Sequence, residues 1–540
     1  MPFCIYEYAI FVSINETINR KDNKIMLQSS HFKLLGLSSM CLLATSCTTK
    51  KEPKMVELPT KPNVIIILAD DIGYGDLSCN GEPTINTPNV DNLAAQGVRF
   101  TDAHAVAATS TPSRYALLTG NYSWRRNDTG VAAGNAGMII KPHEYTVPQV
   151  FQNAGYRTAA VGKWHLGLGE ETAKQDWNGE ITYGPREIGF DYSYIMAATG
   201  DRVPCVYVEN QRIVNLDAKN DPIEVSYITP FPGEPLGKDH PELLTVMKPS
   251  HGHDQAIVNG ISRIGYMKGG KSALWLDENI ADSITAHAVS FIKESKDQPF
   301  FLYFGTNDIH VPRVPHPRFV GKSGMGPRGD AILEFDWSVG QVVKAIKDIG
   351  AENNTIIIIT SDNGPVVDDG YIDQAVELLG NHRPWGDFRG GKYSIFEAGT
   401  RVPLIVTLPG YTQPSVSDAL VSQIDFLASF ANLTGVDLPE GAAKDSQDQI
   451  DVLLGNIKQG RDYVIEAASS LSISNGEWKY IEPSKAARYN KFVNIELGND
   501  TLPQLYNLKN DKGEKKNLYL ENQEKLNELK SLLEAEKNKL

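Results

Sequence analysis

An α/β sandwich, with a large, mostly parallel or mixed sheet between helices and a smaller antiparallel α+β subdomain at the C-terminus, is predicted by three features of the sequence. Five short runs, at 64–68, 158–161, 300–304, 355–359 and 404–406, are apolar throughout, as strands of a parallel sheet buried on both faces are. Helical patterns at 90–96, 147–154, 280–294 and 332–349 fall between them, and strand alternating with helix implies this layering. From about residue 460 the pattern changes to short strand candidates at 463–467, 477–481 and 502–508, followed by a charged amphipathic helix at 522–539. A chain of 540 residues exceeds the usual single-core limit, so a large domain over 63–455 and a small one over 456–540 are expected.

The first 47 residues read as a leader. Lys33 opens an apolar stretch at 34–43 that is too short to span a bilayer. It ends in Ala44-Thr45-Ser46-Cys47, which resembles a bacterial lipoprotein signal with Cys47 as the lipidated new N-terminus. An ordinary cleaved signal is the alternative, and Met26 is a plausible start, since 1–25 match no part of such a signal. Residues 48–62, rich in Lys, Thr, Glu and Pro, suit a tether. The expected location is therefore the periplasm or cell surface of a bacterium. Outside the leader only Cys79 and Cys205 remain, so there is no disulfide framework and two separate thiols are expected.

Composition is that of a globular enzyme, 41% apolar and 22% charged. A net charge of −14 argues against binding nucleic acid or other polyanions through a general basic field, so an anionic ligand needs a local cluster of cations. Residues 170–275 are richer in loop residues and aromatics and are expected to form an insertion near the site.

The chemistry starts at strand ends. Run 64–68 leads into Asp70 and Asp71, and run 355–359 leads into Asp362 and Asn363. Ligands bind at the carboxyl ends of parallel strands. Three carboxylates and an amide oxygen make an all-oxygen set suited to Ca²⁺, or less well Mg²⁺, rather than zinc. Each cluster alone could be a polar turn. In Ser110-Thr111-Pro112-Ser113-Arg114 a proline just inside an apolar stretch places Ser110 at a helix N-terminus, where exposed N–H groups favour an anion.

With its Leu117-Leu118-Thr119-Gly120 extension, this segment resembles the signature of the formylglycine-dependent sulfatases, within the alkaline-phosphatase-like superfamily. Gly162-Lys163-Trp164-His165-Leu166-Gly167 resembles the second signature of that family. Gly390-Gly391-Lys392 followed by Glu397-Ala398-Gly399-Thr400-Arg401 resembles the block that supplies another lysine, and Ile309-His310-Val311-Pro312 the segment that supplies a second histidine. His310 is preferred over His316 because it follows the 300–304 strand more directly. The resemblance implies that Ser110 is oxidised to formylglycine (3-oxoalanine), stabilised by Arg114. It implies that Lys163 and Lys392 hold sulfate oxygens, that His310, with Lys392, protonates the leaving group, and that His165 is a base. It implies a calcium ion on Asp70, Asp71, Asp362 and Asn363. Many members carry cysteine where Ser110 stands, so a separate, oxygen-independent maturation enzyme is expected as a partner.

Sulfated carbohydrate, from host glycans or algal polysaccharide, is the expected substrate. Asp201, Arg202, His251, His253, Arg383 and Trp385 are candidate sugar contacts, each of which could equally be loop structure. The rival readings are a phosphonate or phosphodiester hydrolase of the same superfamily, and a sulfated-glycan binding protein in which Ser110 stays unmodified. The zinc-dependent members commonly have Asp-His where this chain has Asp362-Asn363.

Overall fold

The computed structural model describes residues 57–81 and 84–539. The leader, the Cys47 anchor, the Met26 start and most of the tether lie outside the described residues. The chain order begins β1 (Asn63–Ala69), α1 (Pro88–Ala94), β2 (Val98–Phe100), α2 (Ser110–Thr119), α3 (Val147–Asn153), β3 (Arg157–Lys163) and β4 (Tyr192–Met196). It continues through β5 (Tyr207–Glu209), β6 (Arg212–Ile213), α4 (Ile280–Glu294), β7 (Phe300–Gly305), α5 (Gly326–Asp348) and β8 (Thr355–Ser361). Then come β9 (Leu404–Thr407), β10 (Ser415–Ser417) and α6 (Phe426–Thr434). The C-terminal part holds β11 (Val464–Ala467), β12 (Leu471–Ser474), β13 (Trp478–Ile481), β14 (Gln504–Asn507) and α7 (Gln523–Lys537).

The large sheet is mixed, in the order β10-β2-β9-β8-β1-β7-β3-β4-β5-β6. Its centre, β8-β1-β7-β3-β4, is parallel. The centre is buried on both faces because its β-branched and aromatic side chains alternate between two helical layers. Phe300 meets Phe291 of α4, while the next residue, Phe301, stacks on Phe151 of α3 with ring centroids 4.3 Å apart. Neighbouring strand residues point to opposite faces, so these contacts place α4 and α3 on opposite sides of the sheet.

Three expectations need correction. The 404–406 run is a strand, but β9 pairs antiparallel with β8, not parallel. An all-apolar run encodes burial and carries no information about direction, which is set by the long excursion from 362 to 403. Helix α5 begins at Gly326, ahead of the 332 start read from periodicity, because Pro327 sits in its first turn, where a missing N–H costs nothing. The 170–275 region contributes β4, β5 and β6 to the large sheet and is not only loop. Cys79 and Cys205 are both free thiols.

The C-terminal sheet, β11-β12-β13-β14, is antiparallel and shares its core with the helix that begins at Ser110. Leu526, Leu529 and Leu533 of α7 pack with Ile465, Ile473 and Leu505, and the same cluster takes in Ala116 of α2 and Tyr122. A buried ion network ties this sheet to the segment after Lys392. Lys479 Nζ donates to Glu397 at 2.9 Å and lies 2.8 Å from Glu466, whose other oxygen meets His104 Nδ1 at 2.6 Å. The Glu397 N–H donates to Glu514 at 2.8 Å.

Burial, helped by Glu397 and Glu466 and opposed by Lys479, pushes the Glu514 carboxyl up to about 8. A raised folded value means that this group contributes stability fully below the unfolded value of 4.5 and loses it as pH rises towards about 8. Glu514→Gln keeps an acceptor and does not ionise. It is expected to melt above wild type at pH 8, with the advantage vanishing near pH 4.5, as thermal melts across that range would show. An equal gap at both ends would overturn the assignment.

Candidate active site

Strand register assembles the site. β1 and β8 run in step, Leu68 beside Thr360 and Ala69 beside Ser361, so Asp70-Asp71 and Asp362-Asn363 emerge side by side. β7 aligns Gly305 with Leu68 and with Gly162 of β3, which brings Lys163 and the 306–310 turn to the same edge. Gly162 has φ +93°, and a Cβ there would lie 1.9 Å from the Gly305 carbonyl oxygen, so only glycine lets β3 deliver Lys163 this close. Asp71 and His165 also hold left-handed backbone, φ 61° and 57°, as does Tyr393 beside Lys392, φ 75°. Such conformations persist in non-glycine residues only where the surroundings impose them, and here three gather at one site.

Ser110 opens α2, with Thr109 in extended backbone just before it and Pro112 in the first turn. Thr111 Oγ1 fixes this turn by donating to the His165 carbonyl at 2.9 Å and accepting from the Ala132 N–H at 3.1 Å. Ser110 Oγ donates to Asp362 Oδ2 and accepts from Lys163 Nζ at 2.7 Å. Arg114, one turn along α2, reaches the same Asp362 oxygen through Nε at 3.0 Å and Nη2 at 2.8 Å. Its Nη1 donates to the Tyr303 hydroxyl and the Lys163 carbonyl, both at 3.2 Å. Lys163 Nζ also donates to Asp70 at 2.6 Å, and Lys392 Nζ to Asp71 at 2.8 Å and Asp369 at 2.9 Å.

All of these groups are buried, and their proton affinities follow from that. Burial pushes the Asp70 carboxyl up against the pull of Lys163, and pulls the Lys163 ammonium down against Asp70 and Asp362. For Lys392 burial is outweighed by Asp369 and Asp71, which hold it well above the usual lysine range. Burial at Asp71 is likewise outweighed, by Lys392, His310 and Lys163, and its carboxyl sits below the usual range.

The four predicted metal residues fit a hard cation. Asp70 Oδ1 and Asn363 Oδ1 are buried acceptors without a hydrogen-bond partner, in a cluster whose other carboxylate oxygens are taken by Lys163, Lys392, Arg114, the Asn363 amide and the Asp71 N–H. Orphaned acceptors of this kind are rare in folded proteins, and a cation coordinated by oxygen satisfies them. Asp70, Asp71 and His310 offer atoms that all lie within 4.8 Å of one another.

The two histidines present different faces. His165 Nε2 donates to the Ala132 carbonyl at 3.0 Å, which leaves Nδ1 as a bare, buried acceptor without a partner. Burial, then Lys163 and Arg202, hold this ring well below the usual histidine range, so it is neutral. His310 Nδ1 donates to the Val311 carbonyl at 2.8 Å, which leaves Nε2 3.8 Å from Asp71 Oδ2. His316 lies elsewhere, 3.7 Å from Asp282.

Ser110, His165, His310 and Lys392 line one cavity of about 300 Å³, together with Asp201, Arg202, His251 and His253. Arg383 and Trp385 do not reach it. They line a separate groove of about 690 Å³ behind Val493, where Arg383 pairs with Asp387 at 3.1 Å. Three further contributors were missed from sequence. Asp369, which holds Lys392, lies in a loop with no motif of its own, and Asn490 and Phe492 come from the C-terminal region.

Comparison with known proteins gives the family. The sulfatase family model matches residues 62–436. The chain is 51% identical to an N-acetylgalactosamine-6-O-sulfatase of Bacteroides thetaiotaomicron, over 94% of this chain and 99% of that protein. It is 31% identical to human arylsulfatase A, over 85% and 83% of the two chains. A Bacteroides thetaiotaomicron structure, described in connection with the metabolism of multiple glycosaminoglycans, superposes with a TM-score of 0.87 at 52% identity, covering 89% of this chain and all of the other. With strand ends, anion-ready helix and cation cluster in this arrangement, the chain belongs to the sulfatase family, whose members hydrolyse sulfuric esters.

Proposed function

We propose that this protein removes the sulfate ester from a 6-O-sulfated N-acetylgalactosamine unit of a glycan, using residue 110 as formylglycine. The single observation that carries the reading is the setting of Ser110, buried at the start of α2 with Lys163 Nζ 2.7 Å away and Asp362 as its acceptor. The sugar is proposed from the Bacteroides relative, which matches along almost its whole length.

A plain serine that attacked sulfur would be left as a stable sulfate ester. Oxidised to the aldehyde and hydrated, the residue offers a pair of hydroxyls on one carbon, so that one can attack sulfur and loss of the other's proton expels sulfate. A calcium ion held by Asp70, Asp71, Asp362 and Asn363 would supply charge neutralisation for a sulfate oxygen.

The remaining roles belong to the side chains. Lys392 is a fixed cation and Lys163 a more readily deprotonated one, and both face the place where the sulfate oxygens gather charge. Arg114 clamps Asp362 through two nitrogens and so fixes the acceptor beside residue 110. His165, neutral with a free Nδ1, suits removal of a proton. His310, with Nδ1 anchored, turns Nε2 towards the cavity and suits delivery of a proton to the leaving oxygen. We place the enzyme at the cell surface through a lipid on Cys47.

The test has two measurements on protein made in its native host. Mass spectrometry of the tryptic peptide carrying Ser110 should show a mass lower by about two hydrogens, the signature of the aldehyde nucleophile. Sulfate release should be seen from 6-sulfated N-acetylgalactosamine. An unmodified serine in an active enzyme would overturn the formylglycine mechanism, and no release from any sulfated sugar would overturn the function.

A further inference from the structure

The cavity over Ser110 has one aromatic feature that its anion-binding chemistry does not explain. Phe492 lines it and is 67% exposed, an unusual position for a phenyl ring beside so many charges. The ring is not carried on a slack loop. Tyr489–Asn490 pairs antiparallel with Ile495–Glu496, the Phe492 N–H donates to Asn490 Oδ1 at 3.0 Å, and Val493 and Ile495 pack against Val366. Phe492 stacks on His251, with ring centroids 5.1 Å apart and planes 30° from parallel. The His251 carbonyl in turn accepts from His253 Nδ1 at 3.0 Å.

Polar groups line the same cavity. Arg202 Nη1 donates to Asp201 Oδ1 at 2.9 Å and Oδ2 at 3.1 Å, and His253 Nε2 lies 3.0 Å from the same Oδ2. A pyranose carries hydroxyls around its rim and C–H bonds on its faces. It therefore needs hydrogen-bonding groups at the rim and an apolar, flat partner on a face, the combination that this cavity presents. At about 300 Å³ the cavity is at the small end of ligand pockets and takes about one sugar ring with its sulfate.

We infer that Phe492, held by His251, is a sugar-binding residue that packs against a C–H face of the ring whose sulfate lies over Ser110. This deepens the proposed function and rests on it. The contact is made equally in ground and transition states, so it acts on binding and not on the chemical step.

The experiment uses the matured, full-length enzyme and 6-sulfated N-acetylgalactosamine. Phe492→Ala should raise KM roughly tenfold, as loss of one aromatic stacking contact would, with kcat little changed. Phe492→Trp should restore most of the loss. Inhibition by free inorganic sulfate should be the same in all three proteins, because that ion has no ring to stack. An exposed side chain should also leave the melting temperature unmoved.

If wild type turns over the sugar and Phe492→Ala has an unchanged KM, the inference is overturned and the proposed function stands. A fall in kcat, or altered inhibition by sulfate, would show a structural role and also overturn it. If wild type releases no sulfate from any sulfated sugar, the reading of the substrate fails and takes the inference with it.

Discussion

Ser110→Ala is expected to abolish sulfate release while leaving a folded protein. The loss should exceed about 10⁴-fold, because removing a covalent nucleophile leaves only charge stabilisation and binding. Stability should hardly change. The hydroxyl meets Asp362 and Lys163, and without it both keep partners, Asp362 in Arg114 and Lys163 in Asp70. The variant should therefore still bind the sulfated sugar, which isothermal titration can show without turnover. Activity within tenfold of wild type, beside an unchanged fold, would remove Ser110 from the chemistry.

The second large effect is on stability as well as rate. Asp362 is fully buried and receives two bonds from Arg114 and one from Ser110, with Lys163 3.7 Å away. Burial raises its proton affinity, and Arg114 and Lys163 outweigh that, so the carboxylate is ionised at neutral pH. Asp362→Ala strands the Arg114 guanidinium where water cannot reach it, while Lys163 keeps Asp70 at 2.6 Å. Breaking a buried ion pair from one side costs about 3–5 kcal/mol, several times the value of an exposed pair. Urea unfolding should show a loss of that size, and activity should vanish. Asp362→Asn, which keeps the shape and an acceptor, should lose less stability but no less activity. An Asp362→Ala protein as stable as wild type would mean that Arg114 has another partner for its charge.

Much of this molecule was legible in the order of its residues. The isoleucine runs of β1 and β8 read as buried strands, and the acids that follow them as strand-end groups, and both are so placed. The proline in the first turn of α2 fixed where that helix begins, and with it the place of Ser110. These are local facts: β-branched side chains, a missing N–H and the period of burial act within a few residues, so sequence states them directly.

Tertiary structure decided what depends on residues far apart. The direction of β9, the seat of Lys392 on Asp369, and the exclusion of Arg383 and Trp385 from the cavity have no local signal. Nor does the approach of Phe492 to His251, residues far apart in the chain. Each follows from how loops settle on a finished sheet, where packing and the pairing of buried charges, rather than propensity, select the arrangement.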